Sequence, residues 1–202
     1  MQRFRQYGKR LGISLGLAAL ALVAPVVPAF ADGDVAGDAG VSYSAGSLSG
    51  GAISYGDFSG ITLNGARQTT TATWSIANIT DARGSGNGWN LSLTLTPLKQ
   101  YNASTGAYVL GGKTLPASSV TVIVPPTVSQ VDLSSSAPNT ITPVGAGTAL
   151  DTGSAVKLLT ASHDGGMGEF SFSSMTVSLA TGASTFAGAY KTSATLSLDD
   201  AP

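Results

Sequence analysis

The 202-residue chain contains no cysteine. Neither a disulfide nor a thiolate metal site can form, so the folded state must rest on its core. Histidine and glutamate are each present once, as His163 and Glu169. A Ser/His/Asp triad would have to use His163, and no Gly-x-Ser-x-Gly elbow accompanies it. Zinc wants several His or Cys ligands. Asp57, Asp81, Asp132, Asp151 and Asp164 fall in turn-like sequences, and strand spacing pairs none of them as a glycosidase would need. No Asp-x-Asp-x-Asp-Gly calcium loop is present. These absences predict no catalytic residue, no metal and no cofactor. Charge is scarce too, at 10% of residues, and the cations are scattered. That disfavours nucleic acid as a partner.

The one long apolar run stands at the start. Arg3, Arg5, Lys9 and Arg10 precede an apolar stretch from Leu11 to about Val27, which ends in Ala29-Phe30-Ala31. This is the layout of a secretory signal peptide over residues 1–31, with cleavage expected before Asp32. A retained membrane anchor is the competing reading. Pro25, Pro28 and the cleavage box behind them weigh against it. The 171 residues that would remain suffice for one domain with its own core. They hold six cationic and eleven acidic residues, a net charge of −5. No further apolar span follows, so no membrane span is expected in the mature form.

Residues 32–51 are Gly-, Ala-, Ser- and Asp-rich and read as a flexible arm, with an edge strand near Val41 to Ser44. From residue 52 to 202 the pattern is short strands between Gly, Ser, Asn and Pro clusters. The expected strands are Thr70 to Ile79, Trp89 to Thr96, Tyr108 to Leu110, Val120 to Val124 and Val128 to Leu133. Ala155 to Leu159, Glu169 to Phe172, Met175 to Leu179 and a last long strand, Gly188 to Leu198, complete the set. Tyr190, Thr192, Ala194, Leu196 and Leu198 would share one face of that last strand, whose length suggests a central or full-height position. No segment shows a helical apolar period. The prediction is an all-β, single antiparallel β-sandwich of Ig-like or Greek-key type.

The most informative stretch is Gly84-Ser85-Gly86-Asn87-Gly88 running into Trp89-Asn90-Leu91-Ser92-Leu93-Thr94-Leu95-Thr96. Trp89, Leu91, Leu93 and Leu95 alternate with Asn90, Ser92, Thr94 and Thr96, which gives one dry and one wet face. Upstream stand Trp74 to Ile79, Asp81-Ala82-Arg83, Tyr55-Gly56-Asp57-Phe58 and Ile61 to Gly65. Downstream stand Gly166-Met167-Gly168 and a strand from Gly188-Ala189-Tyr190 that closes on Ala201-Pro202. From about Val41 onward the chain resembles the WxL domain of Gram-positive surface proteins. The second Trp-x-Leu that the family often carries is here Leu196-Ser197-Leu198.

The resemblance implies a secreted protein held at the cell surface. Its partners would be peptidoglycan or another cell-wall polymer, and other surface proteins. It would use Trp89, Asn90 and Leu91, with Tyr190, Leu196 and Leu198 marking the degenerate C-terminal motif strand. A polyanionic polymer would need a local mechanism or a bridging cation, given the net charge. Leu115-Pro116-Ala117-Ser118 only echoes a sortase box, so covalent wall attachment is not expected.

From the residues alone Trp89 has two readings: a core tryptophan on the dry face, or a rim tryptophan stacking on a sugar. Trp74 reads as core. Tyr43, Tyr55, Tyr101 and Tyr108 are further stacking groups, with nothing in the sequence to bring them together. Two other functions compete with wall binding. One is a structural or adhesive subunit assembling by strand addition. The other is a secreted hydrolase, which requires His163 in a cleft beside a serine or carboxylate.

Overall fold

The structure is a computed structural model and describes residues 41–201. The expected signal peptide, residues 32–40 of the expected arm and Pro202 lie outside the described residues. Fifteen strands follow one another: β1 (Leu48–Gly50), β2 (Ile53–Tyr55), β3 (Gln68–Ile76), β4 (Ile79–Asp81), β5 (Trp89–Leu95), β6 (Lys99–Asn102), β7 (Ala107–Tyr108) and β8 (Val120–Val124). Then come β9 (Val128–Gln130), β10 (Ile141–Pro143), β11 (Ala155–Ala161), β12 (Gly168–Phe172), β13 (Met175–Thr181), β14 (Ala189–Lys191) and β15 (Ala194–Asp200). All pairings are antiparallel. The all-β antiparallel sandwich predicted from the alternation is what forms.

The sheets are simpler than their number. One has the order β1-β4-β12-β9 and another β2-β3-β13-β8. Strand for strand these are sequence neighbours: β1 with β2, β4 with β3, β12 with β13, β9 with β8. They make one layer of four ribbons, each interrupted once. The interruptions fall at 51–52, 77–78, 173–174 and 125–127. Pro125-Pro126 supply one break directly, because proline cannot donate to a ladder.

The facing layer is built the same way. Its main sheet is β10-β11-β5-β15, and the small sheet β14-β6-β7 carries on from the β5/β15 pair. The expected long C-terminal strand is therefore two strands. Its partner ribbon contains Pro97, and Thr96 instead ties down 192–193: its N–H donates to Ser193 O at 3.1 Å and its Oγ1 accepts from Ser193 N–H at 3.1 Å. The break also removes the continuous alternation from Tyr190 to Leu198, and Ala194 is exposed. β15 lies at the edge of its sheet, and β5 between two neighbours is the central strand. Likewise the N-terminal edge strand is Leu48–Gly50 rather than Val41 to Ser44, which are exposed and unpaired.

Strand β5 runs between two cores. Trp89 and Leu91 pack with Ile76, Ile79, Leu159 and Phe170. Leu93 and Leu95 pack with Trp74, Val122, Leu158, Met175 and Val177. A bulge in β11 between Lys157 and Leu159 turns two consecutive leucines inward, Leu158 to one core and Leu159 to the other.

Candidate functional site

Trp89 begins β5 and is fully buried. Its indole Nε1–H donates to the Gly166 carbonyl at 2.9 Å, which satisfies the polar atom that burying a tryptophan strands. Two glycines make this fit. Gly166 has φ +68°, and a Cβ there would sit 2.4 Å from Ala161 Cβ and 2.8 Å from the indole nitrogen. Gly88 has φ +72°, and a Cβ there would meet the Ala161 and Ser162 carbonyls at 2.5 and 2.8 Å. Gly166 N–H in turn donates to Thr140 Oγ1 at 3.1 Å. The Gly-Trp-x-Leu and Gly-Met-Gly segments, 77 residues apart, thus form one packed unit.

Asp81 and Arg83 close the outside of this unit. Arg83 grips the Asp81 carboxylate with Nε at 2.9 Å and Nη2 at 2.8 Å, and its backbone N–H adds a bond at 3.1 Å. Nη2 also donates to Gly88 O at 2.8 Å, and Nη1 pairs with Asp200. Ala201 N–H reaches the same Gly88 carbonyl at 3.3 Å. Burial by itself would raise the Asp81 pKa. The Arg83 hydrogen bonds and charge outweigh it and hold the carboxyl below its ordinary value.

Asn90, between Trp89 and Leu91, faces the other way. Its register partners are Thr160 and Asp199, and the row continues through Ser92, Thr94 and Ser197. Lys157 pairs with Ser92 in the middle of it. Asn90 is 5% exposed, yet its Oδ1 has no hydrogen-bond partner among the described residues. Leu198 lies directly opposite Leu91, and Leu196 opposite Leu93. The degenerate motif therefore runs beside the intact one.

Tyr190 is elsewhere. It lines a cavity of about 690 Å³ with Phe58, Leu98, Leu115, Leu179 and Phe186, and its hydroxyl donates to Phe186 O at 2.9 Å. Trp74 lies next to this cavity. It is buried, its Nε1–H donates to Gly56 O at 3.1 Å, and it meets Tyr55 and Phe58 edge-on.

A family model described as "WxL domain surface cell wall-binding" matches residues 45–202. The chain belongs to the WxL family. It is accordingly a surface, cell-wall-binding protein. No curated protein and no solved structure matches it.

Within the WxL domain, most of the carboxylates considered above have structural work. Asp151 is fully buried and accepts the Ser119 and Val120 N–H groups at 3.2 and 3.0 Å. Asp132 accepts from Ser134, whose hydrogen bonds lower its pKa. Asp164 N–H donates to Gly86 O at 2.7 Å and docks the glycine loop. His163 stands beside Asp164 on the loop between β11 and β12, 3.0 Å from its carboxylate, and both side chains are more than three-quarters exposed. That is not the enclosed cleft a hydrolase requires. Among the described residues, no three His, Asp or Glu side chains cluster as metal ligands, and no helix is long and apolar enough to cross a membrane.

The tyrosines separate in space. Tyr101 and Tyr108 meet edge-on at 5.7 Å, Tyr55 joins Trp74, and Tyr43 stands alone and exposed. The lysine-flanked Tyr101/Tyr108 pair and the aromatic cavity rim escape sequence reasoning, since both are assembled across loops. The Lys-x-Tyr spacing of Lys99 and Tyr101 is the one local signal.

Proposed function

We propose that this WxL protein is an exported, non-enzymatic protein that holds peptidoglycan noncovalently on the outer face of β5, β11 and β15. Trp89 and Leu91 serve from inside, keeping β5 and its glycine loop rigid. Asn90 serves from outside. The unpartnered Oδ1 of Asn90 carries this reading: a buried polar atom without a partner is costly, and a glycan hydroxyl or amide would satisfy it once the side chains covering it move aside. The Ser92, Thr94, Thr160 and Ser197 row extends the same hydrogen-bonding chemistry along a strand direction that a polysaccharide can follow.

The test is co-sedimentation of the purified protein with peptidoglycan sacculi, with Asn90→Ala and Trp89→Phe alongside. Wild-type binding is expected. Asn90→Ala should weaken it without lowering the melting temperature, while Trp89→Phe should lower melting and bind in proportion to the folded fraction. A folded wild type that stays in the supernatant would sink the reading.

A second reading, assembly with another chain, has its own support at the β8/β9 edge. Ile123, Val124, Val131 and Leu133 are exposed there. Concentration-dependent self-association in light scattering, abolished by Ile123→Lys, would favour it.

A further inference from the structure

We infer that the small sheet β14-β6-β7 is a second binding surface, specific for a wall glycan polymer that carries phosphodiester groups. The inference rests on the wall-binding reading only for where such a polymer would be met. Three of the six cations after residue 31 lie in or beside this sheet: Lys99, Lys113 and Lys191. None of them pairs with a carboxylate among the described residues. The sequence explains why. Residues 82–131 and 170–198 supply the whole sheet and contain no Asp or Glu. A protein with an acidic surplus thus has no acid within this sheet, although Asp57 lines the neighbouring cavity.

The arrangement has a binding face. Lys99 and Lys191 are direct register partners, so their side chains leave the sheet on the same side. Tyr101, two residues on from Lys99, and its own partner Tyr108 share that side. The Lys191 ammonium sits 4.1 Å from the Tyr101 ring centroid, and the Tyr101 ring meets Tyr108 edge-on. Lys99, Lys191 and Tyr108 are exposed. Like charges placed directly opposite each other weaken a sheet, so this pair does not help the fold. It does create a local positive field beside two aromatic rings. Lysines would hold phosphodiester oxygens as point charges, and the rings would take the apolar faces of the intervening sugars or polyols. On the other side of β6, Lys113 lies 4.8 Å over the Phe186 ring and adds a third cation at the cavity rim. The sheet supplies the local mechanism that a net charge of −5 otherwise denies to a polyanion.

The probe is a purified polyol-phosphate polymer, titrated against the wild-type protein and the Lys99→Gln/Lys191→Gln double variant. Parallel arms use sacculi before and after acid removal of phosphate polymers, and vesicles of phosphatidylglycerol. The wild type should bind the polymer, and binding should fall on the order of tenfold in the double variant. It should also weaken as salt rises. The melting temperature of the variant should hold or rise, which separates lost contact from lost folding. Equal binding by both proteins, or none by the wild type, overturns the proposal. Tighter binding to the vesicles than to the polymer also overturns it and assigns the face to a lipid surface. Stripped sacculi report on peptidoglycan alone, so binding there without polymer binding leaves the Asn90 face standing and removes this one.

Discussion

The two ends of the β5–β6 ribbon are built to opposite rules. At the Trp89 end, polar groups are tied down: Asp81 and Asp200 both meet Arg83, the indole meets Gly166, and the Asp164 N–H docks the glycine loop. At the Lys99 end, two ammonium groups face each other without a carboxylate, beside exposed aromatic rings and an open cavity. The same strand thus begins in a closed structural knot and leads to an open surface. The family signature marks the closed end. A motif that names a binding family need not consist of contact residues; here its tryptophan and leucine are interior supports, and Asn90 between them, itself buried, points to the opposite side of the strand.

The largest effect should come from breaking the knot at its centre. Trp89→Ala removes a fully enclosed indole and orphans the Gly166 carbonyl, and should cost about 3–5 kcal/mol. Trp74→Ala should cost less, because Tyr55 and Phe58 beside it are only partly buried and can settle into the space. Urea unfolding of both variants ranks the two ends directly. A Trp74 variant less stable than the Trp89 variant would contradict the comparison.

Next is the ion pair. Arg83→Ala strands a buried carboxylate and should cost about 2–3 kcal/mol. The pair also sets a pH dependence. Asp81 has a depressed pKa in the folded state, so its contribution is full above the ordinary carboxylate range near about 4 and is lost as pH falls through the folded value. Acid unfolding should begin at higher pH in Arg83→Ala than in the wild type. Melting curves between neutral and acidic pH check this, and an unchanged acid limb would mean that Arg83 does not hold the Asp81 proton off. The Arg83–Asp200 contact, with Asp200 mostly exposed, should add little.

Much of this is legible in the sequence. Strict alternation at Trp89 to Leu95 marks β5 and its dry face, though not its central place, and the dense β-branched run at Val120 to Val124 marks β8 to the residue. The misses have physical causes. β10 contains Pro143, and β6 is a polar tetrapeptide, so neither reads as a strand alone. β2 lies in a Gly- and Ser-rich segment. The C-terminal segment reads as one strand because nothing in residues 188–198 marks the break, which falls opposite Thr96 and Pro97, almost a hundred residues away. The site divides the same way. Local sequence exposes Trp89, Asn90 and Leu91. The facing lysines require knowing that β14 pairs with β6, a long-range register that no local pattern encodes.

A subtler break tests the glycine at the hinge of the knot. Gly166→Ala places a methyl against Ala161 and the indole in a left-handed backbone, and should cost about 1–3 kcal/mol. Its mark would be a shifted Trp89 fluorescence in the still-folded protein. Gly153 also has a positive φ, +80°, but no atom stands near its missing Cβ. Gly153→Ala should therefore pay only the backbone strain, about 1 kcal/mol, and leave the fluorescence alone.

The smallest effect should carry the opposite sign. Lys99→Gln removes one of two like charges facing each other across β6 and β14, so it should leave stability unchanged or raise it by about 0.2–1 kcal/mol. The gain should be largest at low salt and fade as salt screens the pair. Thermal melts at two ionic strengths are sufficient. A loss of stability at low salt would mean that Lys99 has a structural partner, and the contrast between a paired end and an unpaired end would fail at the residue on which it turns. A gain would mean that the fold carries a like-charge cost at this sheet, where the Trp89 end sets Arg83 between two carboxylates.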